Sequence, residues 1–101
     1  MDIRNNVTGK CHELLVIGRV DGPGANQLET EVLTSIRSGA DPIYINLAQA
    51  NFLCSAGVRA LLQYWRQMKN SGRTLLVTRP SPECQAVLQA TGFQDLIVEK
   101  V

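Results

Sequence analysis

At 101 residues the chain is long enough for one domain with a single buried core and no disulfide or metal staples. Ten basic and nine acidic residues leave a formal net charge of +1, which excludes the strong positive field of a dedicated nucleic-acid binder or an anionic-membrane binder. The N-terminus, MDIRNNVTGK, lacks the apolar stretch of a secretion signal, and no apolar run reaches bilayer-crossing length, so the sequence reads as a cytoplasmic globular domain over 1–101.

In chain order, residues 3–7 and 11–20 are extended segments separated by Thr8-Gly9-Lys10, the composition of a hairpin turn. The first is polar, as an edge strand should be. The second grows apolar through Leu14-Leu15-Val16-Ile17, as a strand entering a sheet interior does. Asp21-Gly22-Pro23-Gly24 is a dense turn cluster that ends it. Over residues 25–38, Ala25, Leu28, Val32 and Ile36 recur at three- or four-residue spacing and predict a helix, with Gly39 as its stop. Residues 43–47, Ile-Tyr-Ile-Asn-Leu, predict a short central strand.

A second helix follows, with Val58, Leu61, Leu62, Trp65 and Met68 on its apolar stripe and Arg59, Gln63, Arg66 and Lys69 on its wet side, ending near Asn70-Ser71-Gly72. Residues 74–78 predict another buried strand. Ser81-Pro82-Glu83 marks a third helix start, with a capping serine, a proline in the first turn and an acid favoured by the helix dipole, and Thr91-Gly92 ends it. Residues 96–99 predict a last strand. Strands alternating with helices imply an α/β fold: a mixed, mostly parallel sheet of about five strands with right-handed crossover helices.

Catalytic signatures are largely missing. Gly22-Pro23-Gly24 lacks the third glycine of a dinucleotide fingerprint, and there is no phosphate-binding GxxxxGK[ST] loop and no GxSxG elbow around Ser55. The single histidine, His12, falls in an early strand. Cys11, Cys54 and Cys84 form no CxxC pair and read as reduced thiols, so no enzyme, cofactor or metal site is expected.

The residue with the most chemical consequence is Ser55, at the start of the central helix. As a cap its hydroxyl would stabilise the helix by ~1 kcal/mol. As a phosphoacceptor it would carry about −1.5 to −2 charges at an edge that a partner could read, with Arg59 one turn away to pair with the phosphate. Cys54, at the same helix start, is either a small apolar residue or a redox-sensitive thiol. Asp21 is either an Asx-type turn residue or part of a partner surface on the same edge.

The chain resembles a STAS domain of the anti-sigma factor antagonist type. The matching words are Gly18-Arg19-Val20-Asp21 for G-x-[LV]-D, Ile45-Asn46-Leu47 with Asn51-Phe52-Leu53 for the central strand and its approach, and Cys54-Ser55-Ala56-Gly57-Val58 for D-S-[ST]-G-[LV]. Ser81-Pro82-Glu83 through Thr91-Gly92-Phe93 matches the last helix and its ending. The resemblance implies a small STAS-like domain in which Ser55 is phosphorylated by an anti-sigma factor that is also a serine kinase, and is reset by a phosphatase. It places Asp21, Cys54, Ser55, Ala56, Gly57 and Arg59 at the partner-binding edge, with no nucleic-acid contact and no membrane insertion. Cys54 stands where the family usually has aspartate, and Ala56 where a second hydroxyl is common. Two other roles fit the same chain: a constitutive STAS scaffold such as an accessory subunit of a lipid-transport ATPase, and a Cys54 thiol sensor.

Overall fold

Burial alternates along β2 (Cys11–Val20): Leu14 and Val16 are fully buried, whereas Leu15 and Ile17 are only partly so. A strand with that period presents one face to a helix layer and the other to a thinly covered side. The computed structural model describes residues 1–99; the last two residues of the predicted 1–101 domain lie outside the described residues. β1 (Asp2–Thr8) pairs antiparallel with β2 from Thr8↔Cys11 to Asp2↔Ile17 and forms the polar edge expected of it.

α1 (Gly22–Arg37) begins three residues earlier than the apolar spacing predicts. The Asp-Gly-Pro-Gly cluster is its first turn and not a separate loop. Asp21 adopts an extended backbone and its carboxylate accepts from the Gly24 N–H at 2.9 Å, while Pro23 occupies a first-turn position where a missing N–H costs nothing. Gly24 is required by space, since a Cβ there would stand 2.8 Å from the Arg19 carbonyl oxygen.

β3 (Ile43–Leu53) is the longest strand and runs six residues past its predicted end. Its parallel pairing with β2 continues to Val20↔Leu53 through two register shifts, which disrupt the alternation that would have marked residues 48–53 as a strand. α2 (Ser55–Asn70) then returns along the sheet, burying Val58, Leu61, Leu62, Tyr64 and Met68 and leaving Trp65 half-exposed beneath Lys69. β4 (Leu75–Thr78) pairs only with the first half of β3, up to Asn46↔Thr78.

The free edge of β3 beyond that point is closed by α3 (Pro82–Ala90). The Ser81 N–H donates to the Leu47 carbonyl at 3.1 Å, and the Ser81 hydroxyl donates to the Ala50 carbonyl while accepting from the Cys84 N–H at 3.2 Å. These bonds use backbone groups that an open edge would leave unpaired. The predicted last strand is instead the short helix α4 (Gln94–Ile97) followed by one parallel bridge, Val77↔Val98. Among the described residues the sheet therefore has four strands, in the order β1-β2-β3-β4, where about five were expected. β4 is four residues long and offers little ladder for a fifth strand to extend.

One contiguous core joins Leu14 and Val16 of β2, Leu28 and Val32 of α1, Ile43, Ile45 and Leu47 of β3, and the buried stripe of α2. At the end of the sheet where β3 and β4 begin, the Arg73 guanidinium donates to the carbonyls of Ile36 (3.0 Å) and Ala40 (2.6 Å), and the Thr74 N–H donates to the Asp41 carboxylate (3.0 Å). That end is tied shut. The other end carries the exposed helix start.

Candidate functional site

Parallel pairing of β2 with β3 delivers Asp21 and Cys54 side by side. Val20 and Leu53 are register partners, so the next residue of each strand leaves the sheet at the same edge, and the Cys54 N–H donates to the Val20 carbonyl at 2.9 Å. Each of these residues begins a helix. Asp21 caps α1 with its carboxylate; Cys54 occupies the corresponding position of α2, with extended backbone (φ −80°, ψ 166°) and no side-chain cap hydrogen bond.

Ser55 therefore lies one residue inside α2 and does not cap it, contrary to the capping reading of the sequence. A cap must precede the first helical residue, and that place is held by a thiol, a weak acceptor. Among the described residues the Ser55 hydroxyl has no partner in the chain, and the residue is exposed. Ala56 is half-buried and Gly57 is buried. A Cβ on Gly57 would stand 2.9 Å from Leu53 Cδ1 and 3.0 Å from Val20 Cγ1, so glycine lets the first turn of α2 rest directly on the ends of both strands. Arg59, exposed, follows Ser55 by four residues and shares its side of the helix. The structure thus gathers Asp21, Cys54, Ser55, Ala56, Gly57 and Arg59 at one edge.

Two residues that the sequence pattern does not single out belong to the same edge. Arg19 and Phe52 are register partners one step before Val20 and Leu53, and the Arg19 guanidinium lies 4.2 Å from the centre of the Phe52 ring. Since Val20 and Leu53 point into the core, their strand neighbours point to the other face of the sheet. The available signal is their equal spacing: each stands two residues before Asp21 or Cys54. The exposed side of α2 adds a shallow groove of about 640 Å³ bordered by Arg59 and Arg66, with Leu62 in its lining.

Elsewhere several titratable side chains are committed to structure. Cys84 is buried, and burial pushes its thiol up. Burial, followed by the neighbouring Glu29 carboxylate on α1, pushes the Tyr64 phenol up to about 12. His12 shares a 3.0 Å hydrogen bond with the buried Ser35 hydroxyl and stands eight residues before Val20 on β2, roughly 25 Å down the strand from the Ser55 edge. Ser55 and His12 are not a nucleophile and its base. Cys11, Cys54 and Cys84 are free thiols. Among the described residues no group of three His, Cys, Asp or Glu side chains is placed to hold a metal ion, and no helix is long and apolar enough to cross a membrane.

This arrangement of sheet, crossover helices and serine turn has a counterpart among known proteins: the STAS domain family model matches residues 3–101. The chain belongs to the STAS domain family. This STAS domain is similar to the anti-sigma-B factor antagonist of Staphylococcus aureus, 26% identical over 98 residues that span 96% of this chain and 90% of that protein. It shares its fold with the anti-sigma factor antagonist SpoIIAA in its unphosphorylated form, with a TM-score of 0.83 and 20% identity over 99% of this chain and 89% of that one. The phosphorylated form of Bacillus SpoIIAA matches with a TM-score of 0.75 and 22% identity, covering 99% of this chain and 92% of that one.

Proposed function

We propose that this STAS protein is an anti-sigma factor antagonist whose binding is switched by phosphorylation of Ser55. The observation that carries the reading is the free, exposed hydroxyl of Ser55 in the first turn of α2, at the edge shared with Asp21 and Arg59. Unmodified, the edge formed by Asp21, Cys54, Ser55, Ala56, Gly57 and Arg59 docks on an anti-sigma factor that is also a serine kinase, and the bound sigma factor is released. The kinase transfers the terminal phosphoryl group of ATP to Ser55 Oγ, ADP leaves, and the hydroxyl proton passes to solvent. A phosphatase restores the hydroxyl by hydrolysis.

The physics gives this switch a direction. A helix N-terminus carries about half a positive charge, so α2 tolerates a phosphate at its first residue and the fold survives. The same phosphate, about −1.5 to −2 charges, has to be desolvated when a partner surface closes over it. Without a dedicated partner group, several kcal/mol of that cost oppose docking, and each ~1.4 kcal/mol weakens binding tenfold. Cys54 in place of the usual aspartate leaves the serine without an adjacent carboxylate, so recognition by the kinase rests on the rest of the edge.

Incubation of the protein with ATP and each anti-sigma factor kinase of its genome, followed by intact-mass analysis, tests the reading. One added phosphate is expected on the wild type and none on Ser55→Ala, with the modified protein no longer retained by the kinase. A wild-type protein that stays unmodified and unbound with every such kinase overturns it.

A further inference from the structure

The charges around Ser55 are predominantly basic. None of the sixteen residues of α2 is acidic, and Arg59 and Arg66 border its exposed groove. Arg19, held over Phe52, brings a third guanidinium to the edge from the other face of the sheet. The carboxylate that shares this edge, Asp21, is engaged in capping α1. Among the described residues the one ion pair joins Asp2 and Arg4 on the outermost strand, so none of the three arginines is neutralised within the chain. Phe52, 36% exposed, is the aromatic ring that this edge offers to solvent.

The geometry points to an acidic docking surface on the anti-sigma factor, met by Arg59 and Arg66 along the exposed side of α2 and by Arg19 and Phe52 at the adjoining strand ends; this rests on the function proposed above. The arginines set the encounter rate and the choice of partner, because long-range attraction between opposite patches raises association and falls with salt. Phe52, preorganised by its stacked guanidinium, sets how long the complex lasts, since buried aromatic and arginine anchors carry most of an interface's binding energy. The inference also states how phosphorylation acts here. Three positive charges receive about two negative ones, Arg59 is drawn onto the phosphate, and the field that attracts an acidic partner is mostly cancelled. Release then follows from neutralisation together with the desolvation cost.

The test measures association and dissociation rates for the anti-sigma factor identified by the phosphorylation experiment, at low and high salt, with unphosphorylated protein. Arg59→Glu/Arg66→Glu is expected to slow association at least tenfold, with Arg59→Gln/Arg66→Gln intermediate, and Phe52→Ala to speed dissociation at least tenfold. Thermal melts within a few degrees of wild type show that each variant is folded, and the wild-type complex should weaken steeply as salt rises. Wild-type binding that both arginine pairs and salt leave within twofold overturns this inference and leaves the proposed function standing. Absence of wild-type binding overturns both. Tighter binding to a short DNA duplex than to the anti-sigma factor at equal salt would assign the arginines to another polyanion and overturn it as well.

Discussion

Three long helices start on this fold, and two of the starts differ from the third. α1 and α3 open on side chains that work for the fold: Asp21 caps through the Gly24 N–H, and Ser81 caps through the Cys84 N–H while closing the edge of β3. α2 opens beside α1 at the same edge with no side-chain cap on Cys54 and with an unengaged hydroxyl on Ser55. Where a residue's hydrogen bonds are used up internally, nothing is left for a partner. The uncapped start keeps its donors and its hydroxyl available, and the difference sets two starts committed to the fold apart from the one proposed as the partner-reading site.

The comparison can be broken most forcefully at Ser81. Ser81→Ala removes a cap and leaves the buried Ala50 carbonyl without its hydroxyl donor, so unfolding in urea should show a loss of about 2 to 3 kcal/mol. Nearly as large an effect is expected at high pH from Tyr64, which is buried in α2 with its phenol beside Glu29 of α1. Its folded-state pKa is raised from 10.0 to about 12, so the unfolded chain releases the phenolic proton first. Stability is unchanged by this group below pH 10, then falls between pH 10 and 12 by on the order of 2 kcal/mol. Urea midpoints followed across that window should decline more steeply for wild type than for Tyr64→Phe; parallel curves would contradict the assignment.

Smaller changes sharpen the contrast between the neighbouring starts. Asp21→Ala should cost ~1 kcal/mol by removing an existing cap, and Cys54→Asp should add ~1 kcal/mol by supplying one that α2 lacks. Thermal melts of the pair should move in opposite directions. Ser55→Ala should move the melt least of all, corresponding to less than about 0.5 kcal/mol, since an exposed, unbonded hydroxyl contributes little to the folded state. A loss there as large as that of Asp21→Ala would mean the hydroxyl is structural after all.

Much of this was legible in the sequence, for particular reasons. The order of strands and helices gave the α/β architecture, and parallel order alone put Asp21 and Ser55 at one edge, because the ends of adjacent parallel strands point the same way. The capping pattern was legible for α3, where Ser-Pro-Glu is unambiguous, and not for α1, where Asp-Gly-Pro-Gly has the composition of a turn. Only the fit of Gly24 against the Arg19 carbonyl and the Asp21 hydrogen bond decide that the helix starts there. The second half of β3 was hidden by its register shifts, and the last segment has a strand's composition but meets too short a neighbour in β4. Arg19 and Phe52 were missed because their pairing depends on register after those shifts, which no local pattern carries.

Gly57 leaves no slack between the first turn of α2 and the side chains of Val20 and Leu53 on which it rests. A turn seated so tightly has nowhere to travel, so a chemical mark placed on it alters what the surface says and not what shape it has. Under the proposed switch, such a module would store its signal as one ionic bit on a stiff stylus, legible only to a molecule that touches it, and writing or erasing that bit would require no refolding.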